Sequence, residues 1–226
     1  MRRHHRSAGF GIHSPFAYAF VREVLCQRLP YYAYEDLHSL RRAVISAVSS
    51  RWPHPRIISL KNAKLLFRVA NAFNPSHILQ LGTCYGVSAA SMMEVSSGSR
   101  MWLYEPRLAR FDVVGRVLAP YLHRLECYDD LGVALADYDA ALEGQAFVLV
   151  NDLDGADLDT LRSWLTQTIE RGGVAVMRHL ERNAALRSLW HDLRQAMPFG
   201  QTFTNGKTAV VVADRKLPRQ DFEIWF

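Results

Sequence analysis

From position 77 onward the chain alternates between short apolar runs and longer amphipathic stretches. The runs cover 77–81, 101–104, 125–128, 147–150 and 174–177. A run such as Phe147-Val148-Leu149-Val150 is continuously apolar, the pattern of a strand buried on both faces. After each run comes helical spacing: to about residue 95, then over 107–118, 131–142, 157–169 and 184–197. Strands alternating with helices predict a mostly parallel sheet with helices on both faces. The end of the chain breaks that rhythm. Two apolar stretches, 201–204 and 208–213, flank Asn205-Gly206-Lys207. Asn-Gly between strand-like segments is a strong hairpin signal, so the last strand should run antiparallel. The expectation is an α/β, Rossmann-like fold with a seven-stranded sheet.

Before position 75 the pattern is helical. Ser14 is placed to cap a helix over 15–28 whose first residue is Pro15. A second helix over 34–48 carries Leu37, Leu40, Val44 and Val48 on one face, and a third over 62–71 carries Leu65, Leu66 and Val69. Trp52-Pro53-His54-Pro55 reads as a rigid loop and residues 1–9 as a basic tail. This predicts a helical extension over 1–74, packed on an α/β domain over 75–226, the two forming one globular unit.

Composition adds bounds. At 226 residues, 49% of them hydrophobic, the chain can bury the core of one domain. Net charge is +5, partly from Arg2, Arg3, Arg6 and from Arg215, Lys216, Arg219. At that magnitude a solvated surface explains the charge, and without an aromatic-flanked basic motif a nucleic-acid partner is not expected. Cys26, Cys84 and Cys127 match no zinc or disulfide spacing, which points to a reducing compartment and hence the cytoplasm. No run of about 18 apolar residues occurs, so no membrane span is expected. A homodimer is left open.

The candidate chemistry gathers at 77–91, HILQLGTCYGVSAAS. An apolar strand ends at Gly82, a short turn leads to Gly86, and small residues open a helix. Open α/β sheets bind nucleotide-like ligands on such turns. One glycine turns the chain, another admits close backbone approach, and N–H groups at the helix start face the ligand. An ordinary strand-to-helix turn shares the pattern. Glu105 ends the second strand, at the distance where an acid grips ribose hydroxyls. Asp130 follows the third strand with Asp129 beside it, a position that suits a helix cap.

The turn, the hairpin and the order of elements together resemble a class I S-adenosylmethionine-dependent methyltransferase. LGTCYGVSA at 81–89 is similar to the GT-x-x-G-x-S cofactor turn of the catechol O-methyltransferase-like branch. Three further segments resemble a bacterial group within that branch: GIHSPF at 11–16, AKLLFR at 63–68, and Arg219-Gln220-Asp221-Phe222 near the end, like the group's KQ-x-F. The resemblance implies S-adenosylmethionine as cofactor, with Gly82, Thr83 and Gly86 against its methionyl and ribose parts and Asp130, or Asp129 in its place, accepting from its adenine amino group, and a small-molecule acceptor.

Several positions depart from that family. Gln80 stands where an acid is usual; it keeps a hydrogen bond but cannot neutralise the methionyl ammonium. Metal-dependent members place an Asp after the fourth strand and an Asp-Asp or Asp-Asn pair after the fifth, the hard oxygen ligands Mg²⁺ needs. Here Asn151 and Asp152 stand at the first place and Arg178 and His179 at the second. An arginine there opposes a divalent ion, so no metal is expected. Asp152, Asp154 and Asp157 form an acidic cluster that could still hold an ion, but read first as a solvated loop capping the next helix.

Two functions remain open. In one, methyl transfer proceeds by alignment without metal. His179 then takes the acceptor's proton, Asp152 or Asn151 orients the acceptor, and His13 of GIHSPF is a second candidate base, with capping and packing as that segment's other use. In the other, catalysis is lost and the fold binds the cofactor, a metabolite or a protein partner. Phe10, Phe16, Tyr31, Tyr32 and Tyr34 suit core packing or a subunit contact before an apolar acceptor pocket.

Overall fold

A computed structural model describes residues 11–49, 57–153 and 156–226. The basic tail at 1–9, Phe10, the loop at 52–55 and Asp154 lie outside that set.

Ser14 caps the first helix, α1 (Pro15–Ala19), accepting from the Ala17 amide at 3.2 Å, with Pro15 in the first turn. The coil then widens into a π-helical turn over Phe20–Leu25, closed by the Cys26 amide on the Val21 carbonyl. The sequence pattern predicts a helix to residue 28; the structure ends it at Leu25. There the Arg68 guanidinium takes the Val24 and Leu25 carbonyls, at 2.6 and 3.1 Å, and donates to the Tyr34 hydroxyl at 3.0 Å. A buried cation thus satisfies a helix C-terminus, where the dipole favours positive charge. The next helices, α2 (Ala33–Ser49) and α3 (Leu60–Phe73), bury the predicted stripes. Tyr31, Tyr32 and Tyr34 close on the Phe67 ring, and Phe16 stacks on Phe20. Those aromatics are packing residues in this fold.

Five strands, β1 (His77–Leu81), β2 (Arg100–Tyr104), β3 (Leu125–Tyr128), β4 (Ala146–Val150) and β5 (Gly173–Arg178), are parallel. The helices α4 (Val87–Met93), α5 (Leu108–Val117), α6 (Leu131–Ala141), α7 (Leu158–Arg171) and α8 (Ala184–Ala196) follow them in turn. The predicted hairpin is β6 (Gln201–Thr204) and β7 (Thr208–Ala213), with β7 antiparallel to both β5 and β6. One strand lies beyond the seven expected: β8 (Gln220–Glu223) adds parallel to β6, giving the order β3-β2-β1-β4-β5-β7-β6-β8. Its sequence hides it. Gln220, Asp221 and Glu223 are exposed, and only Phe222 packs, stacked on Phe203 with ring centroids 5.2 Å apart.

Alternate side chains of the strands enter two cores. Ile78, Phe147, Leu149 and Val176 face the core that includes α1 to α5; Leu79, Val148, Val150 and Met177 face that of α6 to α8. The strand order reverses between β1 and β4, and sheets of this kind bind ligands beyond the C-terminal strand ends at that point. Among the described residues, no helix is long and apolar enough to cross a membrane.

Candidate functional site

The chain leaves β1 through Gly82, whose amide donates to the Tyr104 carbonyl at 2.9 Å. Gly82 has φ +82°, and a Cβ there would lie 2.6 Å from the Asp152 Cβ. Gly86 has φ +85°, and its Cβ would meet Val117 Cγ1 at 2.8 Å. Both glycines therefore serve the protein's own packing, Gly82 against the loop after β4 and Gly86 against α5. Between them Cys84 and Tyr85 have φ of 44° and 60°. Such conformations cost about 1–3 kcal/mol each at non-glycine residues, so the surroundings must hold the turn in place.

Polar side chains converge beneath it. Gln80 is fully buried, and its Nε2 donates to the Gly82 carbonyl and to Ser88 Oγ, both at 2.9 Å. The carbonyl fixes which way the amide points. Gln80 Oε1 is left buried without a partner. At the end of β4, Asn151 Nδ2 donates to the Gly82 carbonyl and to Ser88 Oγ at 3.1 Å, and Asn151 Oδ1 accepts from Arg178 at 2.6 Å. Its amide is engaged on three inward partners, which leaves Asp152 better placed to orient an acceptor. Asp152 is partly exposed, and its Oδ1 accepts from the Leu153 amide at 2.9 Å. Ser88 is a site residue that the sequence reading does not single out, although it is the serine of the GT-x-x-G-x-S pattern.

Glu105 ends β2 and is 1% exposed. Its Oε2 accepts from Thr83 Oγ1 at 2.6 Å and from Arg110 at 3.1 Å, while Oε1 accepts from the Arg107 amide at 3.2 Å. Arg110 also lies over the Tyr85 ring, 5.4 Å from its centroid. The structure thus joins Glu105 to Thr83, and adds Arg110, absent from the sequence candidates. The available signal was a cation at the start of the next helix, within reach of the acid.

Asp130 is exposed and caps α6, accepting from the Val133 amide at 2.8 Å. Asp157 likewise caps α7, accepting from the Asp159 and Thr160 amides. Both take the capping use that their positions allowed.

Arg178 and His179 stand together at the end of β5. Arg178 is 2% exposed; its one hydrogen-bond acceptor is Asn151 Oδ1, its Nε has none, and the nearby Cys84 and Glu181 act on it electrostatically. Burial pushes the Cys84 thiol up, so it offers Arg178 no counter-charge. His179 has φ 64°. Burial first, and the Arg178 charge second, pull its imidazole down to about 4, which keeps it neutral at pH 7.

His13 does not join this group. It is exposed, and its neighbour Ser14 accepts from Gln201 Nε2 at 2.8 Å. Gln201 begins β6 and pairs with Val212, which pairs with Val174. Arg178 lies four residues further along β5, about 13 Å at the usual strand rise. The GIHSPF segment is anchored at the opposite end of the sheet from the Gly82 turn, where Ser14 caps α1 and meets Gln201.

No protein-family profile matches the chain, and no curated protein does. Solved structures do match. An O-methyltransferase from Streptomyces achromogenes involved in tomaymycin synthesis, in complex with SAM, gives a TM-score of 0.59 at 16% identity, covering 82% of this chain and 92% of that one. An SAH-bound methyltransferase from Podospora anserina gives 0.58 at 13% identity, covering 83% and 99%. An O-methyltransferase from Bacillus cereus in complex with SAH gives 0.57 at 16% identity, covering 86% and 95%. At these identities the likeness is one of fold: this chain has the Rossmann-like, mostly parallel sheet closed by an antiparallel hairpin that these methyltransferases have.

Proposed function

We propose that the protein is an S-adenosylmethionine-dependent methyltransferase acting without metal on a small-molecule acceptor. The observation that carries this reading is Gln80 Oε1, buried beneath a strained strand-to-helix turn with no donor of its own. A methionyl ammonium would supply that donor. Glu105, at the end of the neighbouring strand, suits the two hydroxyls of a ribose once Arg110 yields it, and Thr83 holds the carboxylate in place. Asp130 keeps one carboxylate oxygen outside its capping bond, which suits an adenine amino group. Ligands named for the neighbouring structures, SAM and SAH, agree with this donor set.

When bound, the cofactor supplies an electrophilic methyl group on a sulfonium. The protein's part is alignment, which can account for most of the rate. Neutral His179 receives the acceptor's proton; its low pKa makes it a weak base, suited to an acceptor that is itself acidic. Asp152 orients the acceptor. Metal independence rests on the donor set: the Arg178 cation and an Asn151 oxygen already accepting from it oppose a divalent ion. We assign 1–74 as a helical extension of a 75–226 domain, supported by a core that Phe20, Val44 and Leu66 share with Phe147 and Val176. The three free cysteines suit a reducing cytoplasm.

Calorimetric titration with S-adenosylmethionine tests the proposal. Micromolar binding is expected, and absent or millimolar binding overturns it. Binding without turnover across a broad acceptor panel assigns the chain instead to a cofactor-binding protein that has lost catalysis.

A further inference from the structure

A cavity of about 230 Å³ lies where the end of β5, the β6–β7 loop and the start of α3 meet. Arg178, His179, Lys61 and Lys207 line it, together with Glu181 and Trp225. Three cationic side chains therefore meet one acidic side chain, which has a partner of its own: Glu181 Oε1 lies 3.5 Å from Arg182 Nε. Phe226 also lines the cavity, and its oxygen accepts from Asn205 Nδ2 at 3.0 Å. Lys61 Nζ donates to the Phe226 backbone oxygen at 3.0 Å, which leaves it further donors. A larger hollow of about 570 Å³ beside Ser39, Arg42 and Ser46, on α2, offers no comparable convergence of charge.

Arg178 decides the chemistry. The protein buries two arginines in different ways. Arg68 places its donors on two helix carbonyls and a tyrosine hydroxyl. Arg178, buried to 2% exposure, has one amide oxygen as acceptor and none at its Nε, and the one carboxylate whose charge reaches it is that of Glu181. It forms no ion pair with a carboxylate among the described residues. A guanidinium keeps its charge when buried, and burying it is costly unless an anion pairs with it.

We propose that this cavity is an anion subsite in which Arg178, flanked by Lys61 and Lys207, seats the carboxylate or phosphate of a small molecule. On the methyltransferase function proposed above, on which this step rests, that molecule is the methyl acceptor, and its anionic group holds the nucleophile near the Gly82–Gly86 turn. The volume limits its size. It falls below the roughly 300–1,000 Å³ of pockets for drug-sized ligands, so it takes a single ring or a short chain. A bound anion opposes the Arg178 field on His179. The other charges acting on that imidazole are Glu181, Asp152 and Arg182.

The test uses inorganic phosphate and benzoate, titrated separately into the whole protein without cofactor. Heat is followed by calorimetry and the His179 imidazole by NMR. Saturable binding of at least one anion is expected, with the imidazole pKa rising on saturation. Arg178→Met should weaken that binding by about tenfold or more, and Lys207→Gln by about threefold. Lys207 sits exposed on the loop, so its variant is informative even where Arg178→Met disturbs Asn151. Benzoate binding alone assigns a carboxylate acceptor, and phosphate binding alone a phosphorylated one. Failure of both anions at tens of millimolar, or binding unchanged in both variants, overturns the subsite. S-adenosylmethionine titrated on the same samples separates the two claims. Anion binding without cofactor binding keeps the subsite and removes the methyltransferase reading, whereas cofactor binding without anion binding removes the subsite alone.

Discussion

Arg110 holds Glu105 at 3.1 Å and at the same time lies over Tyr85, so one helix side chain both neutralises the acid at the end of β2 and covers the strained turn. A ribose bound at Glu105, as proposed, would compete with that pair for the carboxylate. Arg110→Gln should therefore tighten S-adenosylmethionine binding, by about three- to tenfold, because the buried acid no longer has to be taken from its partner. Glu105→Ala should weaken binding by about 1–3 kcal/mol, through loss of a charged acceptor. Calorimetry on the two variants checks both signs. Weaker binding in Arg110→Gln would show that the guanidinium holds the ligand rather than excluding it.

The two turn glycines make a second pair of expectations. An added Cβ at position 82 meets both the Asp152 Cβ, at 2.6 Å, and the Asp152 backbone nitrogen, at 2.9 Å. At position 86 it meets only side chains, the nearest being Val117 Cγ1 at 2.8 Å. Backbone cannot swing aside as a side chain can. Gly82→Ala should thus cost more stability than Gly86→Ala, about 2–4 against about 1–3 kcal/mol. Urea unfolding of both variants measures the order; the reverse order would mean that the loop after β4 gives way more readily than α5.

These residues also show what a linear sequence discloses. Phe147 to Val150 declares a strand because a chain buried on both faces must be apolar at every position. Gln220 to Glu223 declares nothing, since β8 lies at an edge and is held by side-chain bonds such as Thr202 Oγ1 to Asp221 at 2.6 Å. Thr83 and Glu105 were legible because strand ends fix them in space. Arg110 was not, since the direction of a helix side chain depends on what packs around it. Which end of the sheet holds His13 was equally hidden: it is set by a bond from Gln201, 187 residues away from Ser14.

His179 gives the pH prediction. Its folded value of about 4 lies below the ordinary 6.5, so the fold favours the neutral imidazole. The resulting stabilisation is complete above pH 6.5. It is lost as pH falls from about 6.5 toward 4, where the unfolded chain binds the proton first, and changes no further below that. Asparagine tolerates the positive φ of this position, so His179→Asn is the matched control. Between pH 7 and 4 the native protein should lose more stability than the variant in denaturant titrations. Parallel pH profiles would mean that the imidazole is solvated and titrates near its ordinary value.

The N-terminal motif supplies the last test. Ser14 Oγ accepts from both the Ala17 amide and Gln201 Nε2, and Gln201 Nε2 also donates to Gln220 Oε1 at 3.1 Å. One glutamine at the start of β6 thus ties GIHSPF to the Arg219-Gln220-Asp221-Phe222 segment, which gives both a structural reason to occur in one chain. Ser14→Ala should lower stability by about 1–2 kcal/mol, since it removes a helix cap and an acceptor together. His13→Ala should leave the melting temperature, cofactor affinity and turnover unchanged, because that exposed imidazole sits at the far end of the sheet from Arg178. Loss of turnover in His13→Ala with an intact melt would return His13 to the reaction, and would require the N-terminal segment to leave Gln201 during catalysis.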